Sequence, residues 1–152
     1  MKTVRQVLEQ KGRGVHTVTP ETTVFDALRR MADADVGALV VTEGDEVVGL
    51  FSERDYARKV ILQGKASKNI PVEEIMTPRV VCVGPDQRMD ACMGLMTRER
   101  VRHLPVLEGG RLAGIISIGD VVKTIIEHQQ VTIAELEHYI TGRPAPAAPL
   151  TG

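Results

Sequence analysis

The 152 residues carry 19 Lys and Arg against 20 Asp and Glu, a formal net charge of -1 that is too balanced for the broad basic footprint of a DNA- or RNA-binding chain. No apolar run approaches the ~18–20 residues of a membrane span. The start, MKTVRQVLEQKGRG, lacks an apolar signal segment. The expectation is therefore a soluble cytoplasmic chain with neither nucleic acid nor membrane as partner.

The first expected element is a lead-in helix within 1–14, carried by Val4-Arg5-Gln6-Val7-Leu8. A short strand over 15–18 follows and ends at Thr19-Pro20, where proline stops a ladder and can open a helix. Val24, Leu28 and Met31, at i, i+4 and i+7, mark one buried helical face. Apolar runs over 38–41 and 47–51, joined by Glu43-Gly44-Asp45-Glu46, read as a hairpin. A second helix starts after Ser52 and runs through Tyr56, Val60 and Ile61, closing a unit over 15–62. Residues 63–79 are a polar linker with Gly64, then a second lead-in, Val72-Glu73-Glu74-Ile75-Met76, that matches the first.

The series then repeats over 80–128. Pro20 and Pro85 stand 65 positions apart, and that offset holds without a gap from Val15/Val80 to Ile61/Ile126. Identical pairs include Val18/Val83, Met31/Met96, Leu39/Leu104, Gly44/Gly109, Gly49/Gly114, Ser52/Ser117 and Asp55/Asp120. A strand is expected over 80–83. A helix with a core-facing stripe of Met89, Met93 and Met96 follows, then a hairpin around Glu108-Gly109-Gly110-Arg111 and a helix after Ser117. Thr132-Ile-Ala-Glu135 has the capping-box pattern, so a separate last helix is expected within 129–142, stopping near Gly142. The Pro- and Ala-rich stretch 143–152 is expected to be disordered. The fold class is α/β (α+β): two small sheets with flanking helices, packed about a pseudo-twofold axis with a cleft on each side of the seam.

Cys82 and Cys92 lie in apolar stretches and read as buried, inert thiols, with a redox role as the lesser alternative. The histidines form no metal-ligand spacing, so no metal is expected. The informative motif is Gly49-Leu-Phe-Ser52-Glu-Arg54-Asp55, echoed by Gly114-Ile-Ile-Ser117-Ile-Gly-Asp120. At its plainest, S-x-x-D is a capping box. The same turn also offers a helix N-terminus and a hydroxyl to phosphate, and a carboxylate to a ribose diol. The copies differ: Arg102-His103 replaces Gly37-Ala38, and Gly119 replaces Arg54. If the seam brings Arg102 and His103 beside the first S-x-x-D, one cleft holds Ser52, Arg54, Asp55, Arg102 and His103. The other then holds Ser117, Asp120 and small neutral partners, and the first favours the more anionic ligand.

From Val4 to Glu127 the chain resembles a CBS-domain pair (a Bateman module), of the stand-alone type found in bacteria and plant organelles. The resemblance rests on the (T)-x-x-P opening, Thr17 to Pro20 and Cys82 to Pro85, and on the V-x-x-L-x-V strand and the G-h-h-S-x-x-D ending of both copies. It implies an adenine nucleotide (AMP, ADP or ATP, with NAD(H) or S-adenosylmethionine as further members) and no catalytic cofactor. Asp55 and Asp120 would hold ribose. Ser52, Arg54, Arg102, His103 and Ser117 would hold phosphate. Thr17, Val18, Thr19, Ala38, Cys82, Val83, Gly84 and Pro105 would line adenine. The resemblance further implies a homodimer and a regulatory action in trans on an unknown effector protein. A second reading is an interaction module with little nucleotide binding, whose partner is a redox protein such as thioredoxin. No nucleophile–base–orienter set, Walker loop or GxGxxG supports an enzyme, so no catalytic residue is assigned.

Overall fold

The structure, a computed structural model, describes residues 1–142; the tail expected to be disordered, 143–152, lies outside the described residues. Helix α1 (Val4–Lys11) opens the chain, with a capping box in which the Thr3 side chain accepts from Gln6 N and Gln6 Oε1 accepts from Thr3 N at 2.9 Å. The first repeat comprises β1 (Thr17–Val18), α2 (Val24–Ala34), β2 (Ala38–Glu43), β3 (Glu46–Ser52) and α3 (Glu53–Tyr56). The last of these widens into a π-helical stretch, Ala57–Ile61. The second repeat comprises α4 (Met89–Glu99), β4 (His103–Glu108), β5 (Arg111–Ser117) and α5 (Ile118–Thr141). Strand β1 runs parallel to β2, and both hairpins are antiparallel in equivalent register, with Ala38 opposite Ser52 and His103 opposite Ser117.

The duplication therefore folds as two like units, with three departures from the expected elements. The strand over 80–83 does not form; a single bridge joins Val83 to Val106. In the first repeat Val40 N donates to His16 O at 3.2 Å and ties the outer strand in place. Its counterpart is Pro105, which has no N–H to give. What survives is Val83 N to Pro105 O at 3.0 Å and Leu107 N to Val83 O at 2.9 Å.

No new helix opens at Thr132. Nothing breaks the backbone between Ile118 and Thr141, so α5 continues as one helix until Gly142, in the left-handed region at φ 67°, donates to His138 O at 2.8 Å. Thr132 is mid-helix, and its hydroxyl donates to His128 O at 3.0 Å instead of capping. Met93, expected in the core, is 42% exposed. The buried face is Met89, Cys92 and Met96, matched in α2 by Val24, Ala27 and Met31. The true stripe is i, i+3, i+7, so the fourth-residue position rotates toward solvent.

The two lead-ins cross over. Val4 N donates to Gln87 O at 2.8 Å and Arg5 N to Pro85 O at 2.8 Å, which docks α1 on the second repeat. Val72 N donates to Thr22 O at 2.7 Å and Glu73 N to Pro20 O at 3.1 Å, which docks the inter-repeat segment on the first. Each core is completed this way: Val4, Val7 and Leu8 join the second repeat's cluster, and Ile70, Val72 and Ile75 join the first's. The strand glycines make room for the crossing. A Cβ on Gly114 would stand 2.7 Å from Leu8 Cδ2, and one on Gly49 would stand 2.3 Å from Met76 Sδ. A third apolar cluster, Ala38, Val40 and Leu50 with Leu112 and Ile115 against it, glues the repeats at the seam.

Candidate functional site

Both S-x-x-D turns form capping boxes. Ser52 Oγ accepts from Asp55 N at 3.2 Å, and Asp55 Oδ2 accepts from Ser52 N at 3.0 Å. In the second copy the matching distances are 3.2 Å and 2.8 Å. The hydroxyls and carboxylates singled out in the sequence are thus first of all structural, because they satisfy donors that a helix start leaves open.

The carboxylates then differ in what else holds them. Asp55 is buried, and its second oxygen, Oδ1, accepts from Thr77 Oγ1 at 3.2 Å and pairs with Lys59 Nζ at 3.1 Å. Asp120 is slightly more open, its side chain 19% exposed against 11% for Asp55. Its Oδ2 meets Lys11 Nζ at 2.6 Å, while Oδ1 takes no hydrogen bond among the described residues. Asp120 therefore keeps one acceptor free for a ligand hydroxyl. At the start of α5, Ile118 N is taken by Arg102 O at 2.8 Å and Asp120 N by Ser117 Oγ. Gly119 N is the donor left over for an anion.

Lys11, Lys59 and Thr77 were not singled out in the sequence. Lys59 was legible as a basic residue four places after Asp55 on one helix. Lys11 and Thr77 arrive on the crossed lead-ins, and the only signal for them is the likeness of the Val4 and Val72 segments.

His103 stands between the copies. A Cβ on Gly37 would lie 3.9 Å from its Cε1 and 4.0 Å from Glu53 Oε2, so the ring reaches the first repeat's turn. It also starts β4 opposite Ser117. Burial first, then the positive charges of Lys11 and Arg102, hold His103 below the usual imidazole range, while Asp120 and Glu53 pull it upward. The residue thus senses both turns. Arg102 and Arg54 are exposed, and Glu53 N closes on Gly37 O at 3.1 Å.

The residues expected to line adenine scatter in burial. Val18 and Val83 point into the two repeat cores, and Ala38 belongs to the seam cluster. Pro105 is buried, Thr17 and Cys82 are half-buried, and Thr19 and Gly84 are exposed. Burial raises the Cys82 thiol, and burial with the charge of Asp90 pushes Cys92 up to about 11. Both are therefore protonated, weak nucleophiles at neutral pH. Among the described residues no group of His, Cys, Asp and Glu is arranged to hold a metal ion, and no helix is long and apolar enough to cross a membrane.

Comparison with known proteins converges on one family. The model of the CBS domain matches residues 4–61 and 72–127. The CBS domain-containing protein CBSX3, mitochondrial, of Arabidopsis thaliana is 37% identical over 149 residues, spanning 92% of this chain and 72% of that one. A solved CBS-domain protein from Burkholderia ambifaria MC40-6 is 53% identical, with a TM-score of 0.80 over 87% of this chain and 99% of that one. The CBS domain pair of protein MJ0100, solved with 5-methylthioadenosine and S-adenosyl-L-methionine, superposes at TM-score 0.72 over 82% of this chain and 99% of that one. At 22% identity, that pair shares the fold.

Proposed function

The chain belongs to the CBS-domain family, two repeats in tandem, and from that premise we propose that it is a non-catalytic, cytoplasmic regulatory module that binds an adenine nucleotide and, as a homodimer, acts on a partner protein. The observation that carries this reading is Asp120: a partly buried carboxylate at a strand–helix turn, with one oxygen free and Lys11, His103 and the Gly119 N–H beside it. A ribose diol needs the acceptor, and a phosphate needs the cations and the open N–H. The ligands of MJ0100 both carry adenosine, which supports that class here. The resemblance adds AMP, ADP, ATP and NAD(H) as candidates.

The sequence weighted the cleft of Ser52, Arg54 and Asp55. The hydrogen bonds move the weight to the cleft of Ser117 and Asp120, because Asp55 has both oxygens engaged by its own chain. A ligand biases the module only through unequal affinity for two of its shapes. Lys11 offers the means, since a ligand phosphate beside Asp120 draws its ammonium away from Oδ2 and loosens the end of α1.

The test is thermal unfolding with AMP, ADP, ATP, NAD, NADH and S-adenosylmethionine. A true ligand raises Tm with concentration, by an amount that follows its affinity. If none of the six moves Tm, nucleotide sensing is wrong and the interaction-module reading, with a thioredoxin-like redox partner, takes its place.

A further inference from the structure

Helix α5 outruns the repeat it belongs to. The family match ends at residue 127, yet the helix continues to Thr141. Along this extension every side chain but that of Ala134 is exposed. Most helical stability in proteins comes from packing an amphipathic face, and this extension packs none on its own chain. It also carries an unmet apolar stripe. Val122, Ile126, Ile133, Leu136 and Ile140 are between 47% and 79% exposed. With Gln129 they are spaced by alternating fours and threes, the seam pattern of a coiled coil. The side that faces the repeat core, Val121 and Thr124, is a different one.

We propose that this stripe pairs with the same stripe of a second copy, antiparallel, about a two-fold axis near Val131. The stripe is self-complementary in that direction. Val122 meets Ile140 of the other copy, Ile126 meets Leu136 and Gln129 meets Ile133, and the axis repeats each layer in reverse. Lys123 flanks the seam on the same edge as Glu137, so the antiparallel register sets opposite charges together twice. A parallel pair would face Lys123 with Ile118 and leave the charge unmatched. At the body end, exposed Ile118 and Met93 continue the apolar surface. The pairing takes up the homodimer of the proposed function but not its ligand.

Cysteine crosslinking of the full chain reads this register directly. Ile126→Cys and Leu136→Cys variants are prepared separately and mixed, then mildly oxidised. The mixture forms a covalent dimer, because the two positions share a layer. Each variant alone does not, since its own copies lie about 15 Å apart along the axis at ~1.5 Å rise per residue. Self-crosslinking of either variant alone overturns the antiparallel register. A dimeric mass in solution without a mixed crosslink places the dimer elsewhere and overturns the surface. A monomeric mass at high concentration overturns the pairing and the homodimer together, leaving nucleotide binding to its own test. The native Cys82 and Cys92 are controlled by oxidising the unsubstituted chain.

Discussion

Lys11 and Asp120 stand 109 positions apart in the chain and 2.6 Å apart at the seam. The contact exists because α1 crosses to the second repeat, and it joins the chain's N-terminal element to the carboxylate that we propose receives a ribose. Lys11→Met should therefore split two kinds of ligand. Adenosine, which needs only the open Oδ1, keeps its affinity. ATP, which also uses the positive charge, binds more weakly. Calorimetry of both ligands on both proteins gives the ratio; an unchanged ratio means that Lys11 does not act at the site.

The position of His103 sets a pH dependence. Its depressed pKa means that the unfolded chain binds the proton more readily. This contribution to stability is full above the unfolded value of about 6.5 and is lost as pH falls through the folded pKa. An anion at the seam pushes the other way, because it favours the imidazolium. The complex then binds more protons than the free protein, so AMP or ATP should bind more tightly at pH 5.5 than at 7.5. His103→Gln should flatten that slope. Equal slopes in the two proteins would contradict the placement.

The crossed lead-in can be tested by packing. Gly114→Ala forces a methyl against Leu8, which is fully buried in the second repeat's core. Overpacking of this kind costs about 1–3 kcal/mol, read as a lower Tm. Leu8→Ala in the same chain should recover part of the loss, giving a favourable coupling in a double-mutant cycle. Gly49→Ala should cost less, since its neighbour Met76 is flexible and half-buried.

The thiols make a simpler check. With burial holding Cys92 at about 11 and Cys82 also raised, iodoacetamide at pH 7.5 should leave Cys92 intact and modify Cys82 slowly. Both should react at once in denaturant. Native Cys92 reacting as fast as a free thiol would contradict its burial.

Much of the fold was legible because the duplication constrains it twice. Each apolar position in one copy checks its partner, and both hairpins and both capping boxes followed. What was lost turns on residues whose effect is non-local. Pro105 looked like one more apolar strand residue, but its missing N–H removes the second repeat's counterpart of the Val40 N to His16 O bond that holds the outer strand in the first. Thr132 carried a start signal, yet a start needs a preceding break, and α5 has none. At the site, S-x-x-D named both turns, but nothing local said which carboxylate would be filled by its own chain. Thr77 and Lys11 come from segments that exchange places, and only the folded topology shows where each goes.

Calorimetric titration of AMP and ATP into the unsubstituted chain, Asp55→Asn and Asp120→Asn reads directly whether the nucleotide sits on Asp120. Asparagine keeps an acceptor for each capping box while removing the charge that a ribose diol would meet. The expected result is binding that falls tenfold or more in Asp120→Asn, about 1.4 kcal/mol or greater, and falls less in Asp55→Asn. Equal affinity in all three proteins, or no binding heat in any of them, would contradict it.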